Sequence, residues 1–370
     1  MKRLLLCFVL VVLALPLLVS SAFADDTTDS VARLTGIEAA QSALPDEARE
    51  ISGSLKADGR YDAQGALARL FDKCVSELRR EVKENISDVL GLVAIAVCSA
   101  LTGSFAKDPA IRDYISIAAV CAAAGTLVGG VDGLVEQTSS ALTQMSDYSR
   151  AALPAVFTAA GVCGALVSAS ARCAAVCIAI DILMSAAQGF VIPLVYAYLA
   201  LALSSALFDN PMLKSCQRFS KWLATTFMTG FTIVFSGYIG LTGIVTSGVD
   251  AVAARTARTV ISTALPVVGG IISDAAATVL SAAGIIKNSA GALSLVAVAA
   301  LCAAPFAALS AKLLLFRAAA CACDMVPNAK LSAFIYDVGT ALGILLGLVG
   351  CCAIMLFISF TTAIRMVSVS

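Results

Sequence analysis

The chain has 370 residues, 25 basic and 25 acidic side chains, and no histidine. Hydrophobic residues make up 59% and charged residues only 14%, with a mean hydropathy of +0.93; soluble domains run near ~25% charged, so an ordinary water-soluble globule is excluded. The absence of net charge gives no basis for a nucleic-acid partner. The absence of histidine removes Ser-His-Asp and Cys-His catalysis, histidine-ligated zinc or haem, and histidine pH switching.

The N-terminus reads as a targeting segment. Lys2 and Arg3 precede an apolar run over 4–19, and Ala22-Phe23-Ala24 forms a small-x-small site before Asp25 and Asp26. This pattern predicts a signal peptide over 1–24, with an uncleaved first membrane helix as the alternative. Either way the following stretch is expected outside the cytoplasm. Residues 25–88 carry 23 charges in 64 positions and are expected to form a short, polar, helical extracytoplasmic region. Within it Leu67, Leu70, Phe71, Cys74, Val75 and Leu78 recur at three- and four-residue spacing, which predicts one amphipathic helix of about 20 residues. Its apolar stripe suits a partner or a membrane surface, or belongs to a juxtamembrane helix with no specific partner.

Residues 89–370 hold only 25 charges in 282 positions and read as a polytopic membrane domain in contact with lipid. Apolar segments run over 89–106, 111–131, 151–170, 173–208, 222–247, 259–286, 289–320 and 334–364; one crossing takes about 20 residues. Segment 173–208 is too long for one crossing and carries Gly189 and Pro193 near its middle; segment 289–320 carries Pro305. Each is expected to be a helical hairpin or a kinked helix. Segment 259–286, rich in small residues and bearing Asp274, either spans or is re-entrant. The expected fold class is all-α, a polytopic bundle with about 7–10 membrane segments.

Two tandem repeats are expected, over about 146–247 and 258–364. The separations Pro154 to Pro266 and Pro193 to Pro305 are both 112 residues, and the polar stretches 209–221 and 321–333 then fall in matching places. A direct sequence match favours parallel repeats. The positive-inside rule places the acidic 132–150 loop outside and the 209–221 stretch, with Lys214, Arg218 and Lys221, inside. That arrangement needs 173–208 to be a hairpin. Most of the 13 cysteines lie in apolar segments, where a thiol packs as a small hydrophobe. Cys321 and Cys323 lack a second pair at zinc-ligand spacing.

Two intramembrane carboxylates stand out. Asp181 sits among Ile178, Ile180, Ile182 and Leu183, where a charge costs about 2.5–3.5 kcal/mol on insertion scales. It is read as an ion or proton site or a pore-lining group, or else as one half of an interhelical hydrogen bond or a residue near the interface. Asp274 has the same standing. Around it lie Arg255 and Arg258 on one helix face, Pro266, Gly269 and Gly270, then Lys287 and Asn288. This bent, small-residue segment lines a conduit or forms a tight packing seam in a homo-oligomer. Tyr336-Asp337 lacks the Gly-x-Gly-Asp partner of intramembrane aspartyl proteases; neither Gly130-Val131-Asp132 nor Gly248-Val249-Asp250 supplies it. No phosphate-binding loop is present, so any ATP is hydrolysed by a partner. No catalytic, metal or cofactor site is expected, and the protein is read as non-enzymatic.

Gly237-Tyr238-Ile239-Gly240-Leu241-Thr242-Gly243, Asp250, and the stretch Arg255 to Asn288 with Ala264-Leu265-Pro266-Val267-Val268-Gly269-Gly270 and Ser273-Asp274 together resemble the stage III sporulation protein AE family of endospore-forming Firmicutes. The resemblance runs from the signal peptide through the membrane domain; the shorter exported region and the high Ala and Cys content depart from the family. It implies a multi-pass protein of the mother-cell membrane surrounding the forespore. It also implies membership of a secretion-like channel complex with an ATPase, other stage III sporulation membrane proteins and ring-forming subunits. It carries no catalytic residues over. A stand-alone secondary transporter, which the repeat, Asp181 and Asp274 would suit, and a scaffold lining no path are the other readings of the residues.

Overall fold

The computed structural model describes residues 44–53, 63–160, 166–264, 269–325 and 328–365, with the backbone path alone over 240–264 and 269–291. The signal peptide lies outside the described residues. Eight α-helices follow in chain order: α1 (Asp46–Ser52), α2 (Ala63–Phe105), α3 (Pro109–Ala160), α4 (Leu166–Ala186), α5 (Ile192–Phe208), α6 (Pro211–Ala264), α7 (Gly269–Cys323) and α8 (Ala329–Arg365). A π-helical turn, Ala187–Val191, joins α4 to α5. No strand occurs among the described residues. Among the described residues, six helical stretches are long and apolar enough to cross a membrane: 65–105, 109–158, 173–208, 211–239, 292–323 and 329–363. The protein is therefore a polytopic helical membrane protein.

The apolar segments map onto fewer, longer helices than their number suggests. The stretch over 132–150, expected as an outside loop, is the middle of continuous α3, which joins segment 111–131 to the first part of 151–170. Its polar residues Asp132, Glu136, Ser139, Thr143, Asp147 and Arg150 recur every three or four positions. They therefore occupy one helix face and need not break the helix. Similarly, the amphipathic helix expected over the end of the exported region runs without interruption into segment 89–106 as α2. Leu70 is buried, and Leu67 and Cys74 pack on the core, while Phe71, Val75 and Leu78 remain exposed.

Segment 173–208 is a kinked helix and not a hairpin. Pro193 has no N–H to offer the carbonyl of Gly189, and its ring crowds that carbonyl. The helix widens into a π-turn over just those residues, then resumes with the proline in its first turn. The chain consequently travels end to end once between 166 and 208. The 209–221 stretch then shares an end with the 106–108 turn without any hairpin. The α5–α6 turn is made by Asp209, which adopts the left-handed region at φ 40. Asp tolerates this conformation better than most side chains. Lys214 donates to the Asp209 carboxylate and holds its pKa below the usual value, so this contact is present at neutral pH and lost as pH falls through the carboxylate range.

Contacts fix the alignment of the helices. The Asn328 amide donates to Ser99 Oγ at 2.8 Å and Lys330 pairs with Asp113 at 2.6 Å, which brings the α2–α3 and α7–α8 turns together. At the other extreme Tyr148 packs against Phe360 with ring centroids 6.2 Å apart. α7 and α8 form the antiparallel centre: over 292–323 and 329–363 most residues are buried. α2 and α3 pack along α7, α3, α5 and α6 along α8, and α4 along α3 and α6. Short α1 lies against α7 and α2 through Leu44, Ala48 and Ile51, and ends at Gly53 with φ 72.

Removing the ring at the Tyr148–Phe360 contact is expected to be costly, because Phe360 is fully enclosed. Phe360→Ala should destabilise by about 3–5 kcal/mol and Phe360→Leu by clearly less, whereas Val234→Ala on the outer surface should stay within about 0.5 kcal/mol. Thermal unfolding of the detergent-solubilised protein reads all three.

Candidate functional site: a polar seam and a kinked core helix

The polar face of α3 meets α4 and α5 along a seam. The Tyr196 hydroxyl donates to Asp132 Oδ1 at 2.7 Å, Gln188 Nε2 donates to Thr143 Oγ1 at 2.9 Å, and Arg150 Nε donates to Asp181 Oδ1 at 3.0 Å. Asp181 thus makes an interhelical hydrogen bond. The bond is charge-assisted, and both side chains keep substantial exposure, 62% for Arg150 and 46% for Asp181. From Asp132 to Arg150 the seam runs 18 residues, roughly 27 Å along α3.

A second polar cluster lies inside the bundle near the turns. Tyr198, buried, donates its hydroxyl to Asp337 Oδ1 at 3.1 Å. Arg317 donates from Nη2 to Thr340 Oγ1 at 3.2 Å and sets its guanidinium 3.7 Å from the centroid of the Tyr336 ring. Its Nη1 is buried without a hydrogen-bond acceptor, and the aromatic face is its compensation. Ser205 donates to Gln217 Oε1 at 3.2 Å between α5 and α6. Asp337 thus has a structural role, as the anchor that ties α8 to α5.

The third feature is a cavity of about 370 Å³ beside Pro305. Pro305 lies inside α7 and cannot donate to the carbonyl of Leu301, and both residues line the cavity. Opposite them α3 presents Gln137, Ser140 and Gln144, α2 contributes Lys73, and α1 closes the remaining side with Asp46, Ala48 and Ile51. The sequence reading found the proline but missed the glutamines facing it, which the 137, 140, 144 spacing marks as one helix face.

The other candidate residues are not brought to these features by any described side chain. Arg255 and Arg258 lie on α6, and Gly269, Gly270, Asp274, Lys287 and Asn288 on α7, all where only the backbone path is described; Pro266 lies outside the described residues. Among the described residues no group of three or more Cys, Asp or Glu side chains is placed to hold a metal ion. The sulfurs of Cys173 and Cys177 lie 4.0 Å apart as free thiols on one face of α4.

Comparison with known proteins decides the family. The family model described as Stage III sporulation protein AE matches residues 54–367. The chain belongs to the stage III sporulation protein AE family. A relative from Bacillus subtilis (strain 168), named Stage III sporulation protein AE, is 27% identical over 129 residues, covering 35% of this chain and 32% of the relative. The match thus spans about a third of that relative's length. No solved structure matches. The AE family match takes in α2 to α8 and leaves α1 before its start.

The two clusters should respond differently to substitution. Asp337→Ala removes the acceptor of the buried Tyr198 hydroxyl, which keeps Gln217 and Thr340 as neighbours, and is expected to cost about 1–2 kcal/mol. Asp181→Asn, at an exposed pair, should cost under about 1 kcal/mol. Denaturation of the purified protein with both variants side by side checks the ranking.

Proposed function

We propose that this AE-family protein is a non-enzymatic membrane subunit of a channel complex connecting mother cell and forespore, seated in the mother-cell membrane around the forespore. The observation that carries the reading is the family match over 54–367 on a bundle of very long helices. The polar groups of that bundle pair with one another between helices. Two features are in keeping with a passive conduit component: a cavity of about 370 Å³ beside a proline-interrupted core helix and a polar seam on the outer surface. In this reading the energy for transport comes from an ATPase partner, and ring-forming subunits extend the path beyond this membrane. Of the three features that suit a transporter, the repeat, Asp181 and Asp274, Asp181 is paired with Arg150.

Deleting the gene in its own host is expected to collapse the count of heat-resistant spores while vegetative growth stays normal, with recovery on complementation. Co-purification of the complemented, tagged protein with an ATPase should accompany it. Full sporulation without the gene would contradict the role.

A further inference from the structure

The bundle presents unlike surfaces at one depth. Thr232 of α6 touches Cys351 of α8, while Cys302 of α7 meets Met145 of α3 at 3.6 Å and lies within electrostatic reach of Cys74 of α2. Because α7 and α8 run antiparallel, with Arg317 beside Thr340, Cys351 stands opposite the Pro305 turn. That single level therefore takes in Glu77 to Arg80 on α2, Thr143 on α3, Gln188 to Phe190 before α5, and Phe231 to Val234 on α6.

On the α4–α6 side this level is apolar. Ile233 and Val234 are 66% and 73% exposed, with Phe190, Ile182 and Ile178 on the neighbouring surface. No charged residue occurs from Trp222 to Val249, and these 28 residues make roughly 40 Å of helix, enough for a hydrocarbon core of about 30 Å. At the end nearest the turns the stretch is bordered by Arg218, Lys221 and the stacked pair Phe219 and Trp222, the residue types that mark a membrane interface.

On the α1–α2–α3 side the same level carries exposed charges. α2 exposes Arg79, Arg80, Lys83, Glu84 and Asp88, with Arg80 bonded to Glu77 at 2.6 Å. The exposed Phe71, Val75, Leu78 and Val82, spaced four, three and four apart, form an apolar stripe along one edge of this charged face. The cavity beside Pro305, lined by Gln137, Ser140, Gln144 and Lys73, lies on this side as well. Nearer the turns, α2 turns apolar after Asp88 and α3 is apolar up to Val131.

We propose that the protein is embedded with two unlike sides: acyl chains cover α4 and α6 at the depth of Pro305, while a water-filled vestibule at the same depth is bordered by α1, α2 and the polar residues of α3. The vestibule reaches down to the level of Asp88 and Asp132 and is floored by the apolar α2–α3 hairpin. This deepens the channel-subunit reading and rests on it for what the vestibule serves; the sidedness itself is a property of this chain in its membrane.

The test is site-resolved thiol labelling of Arg79→Cys and Val234→Cys, with Lys83→Cys and Ile233→Cys as second variants. All are made in the full chain in open membrane fragments of the host, so that a charged maleimide reaches both faces. Peptide mass spectrometry separates each new thiol from the native cysteines. The expected result is labelling of Arg79→Cys and Lys83→Cys, with none at Val234→Cys and Ile233→Cys until detergent is added. Labelling at 233 and 234 in intact membranes would overturn the lipid assignment. Protection of 79 and 83 would overturn the vestibule, and labelling by a lipid-dissolved photoreactive probe at those positions would place them against acyl chains. Either failure is independent of the spore count, which tests the channel role alone.

Discussion

The antiparallel contact between α7 and α8 is the constraint on which the other helices depend. Most side chains of both helices are enclosed along their paired length, and each remaining long helix touches one of the two or both. Within a membrane there is little hydrophobic gain from bringing apolar helices together, so close packing and interhelical hydrogen bonds have to hold them. The pair is suited to this, being built from Ala, Leu, Val, Cys and Gly. At Gly339, α8 comes close enough to α7 that an added Cβ would touch Arg317 and Phe316 at 3.7 and 3.8 Å.

From this pair the polar contacts follow a consistent pattern: they sit where a helix must be held in register. Tyr198 to Asp337 fixes α5 on α8, Asn328 to Ser99 fixes α2 at the turn end, and Arg150 to Asp181 fixes α4 on α3. Two proline positions show two solutions to one problem. At Pro193 the helix widens into a π-turn that includes the glycine whose carbonyl lost its partner. At Pro305 the helix stays α and the disturbed turn borders a cavity instead.

Much of the architecture was legible in the sequence because hydropathy, proline positions and composition act locally. The all-helical membrane fold, the bend near Gly189 and Pro193, and the interhelical option for Asp181 all came from such signals, as did the family resemblance. What was not legible depends on which neighbour a side chain meets. Asp132, Glu136, Asp147 and Arg150 look like an aqueous loop when counted as charges; their spacing shows one face of a helix. Reading that helix as a loop forced an extra crossing, and with it the hairpin proposed for 173–208. Tyr196, Tyr198, Gln137 and Gln144 carried no motif at all, since their roles come from contacts across tens of residues.

The account stands on α8 being enclosed between α3 and α6 at the stated alignment, and one substitution addresses this directly. Thr232→Cys places a second sulfur beside native Cys351, whose sulfur lies 2.8 Å from the Thr232 hydroxyl. Mild oxidation of membranes should then produce an intramolecular disulfide between α6 and α8, found by mass spectrometry as one cross-linked peptide pair. Failure to form that pair, with the introduced thiol linking instead to another cysteine or to a second chain, would contradict the packing from which the depth assignments and the two-sided surface are drawn.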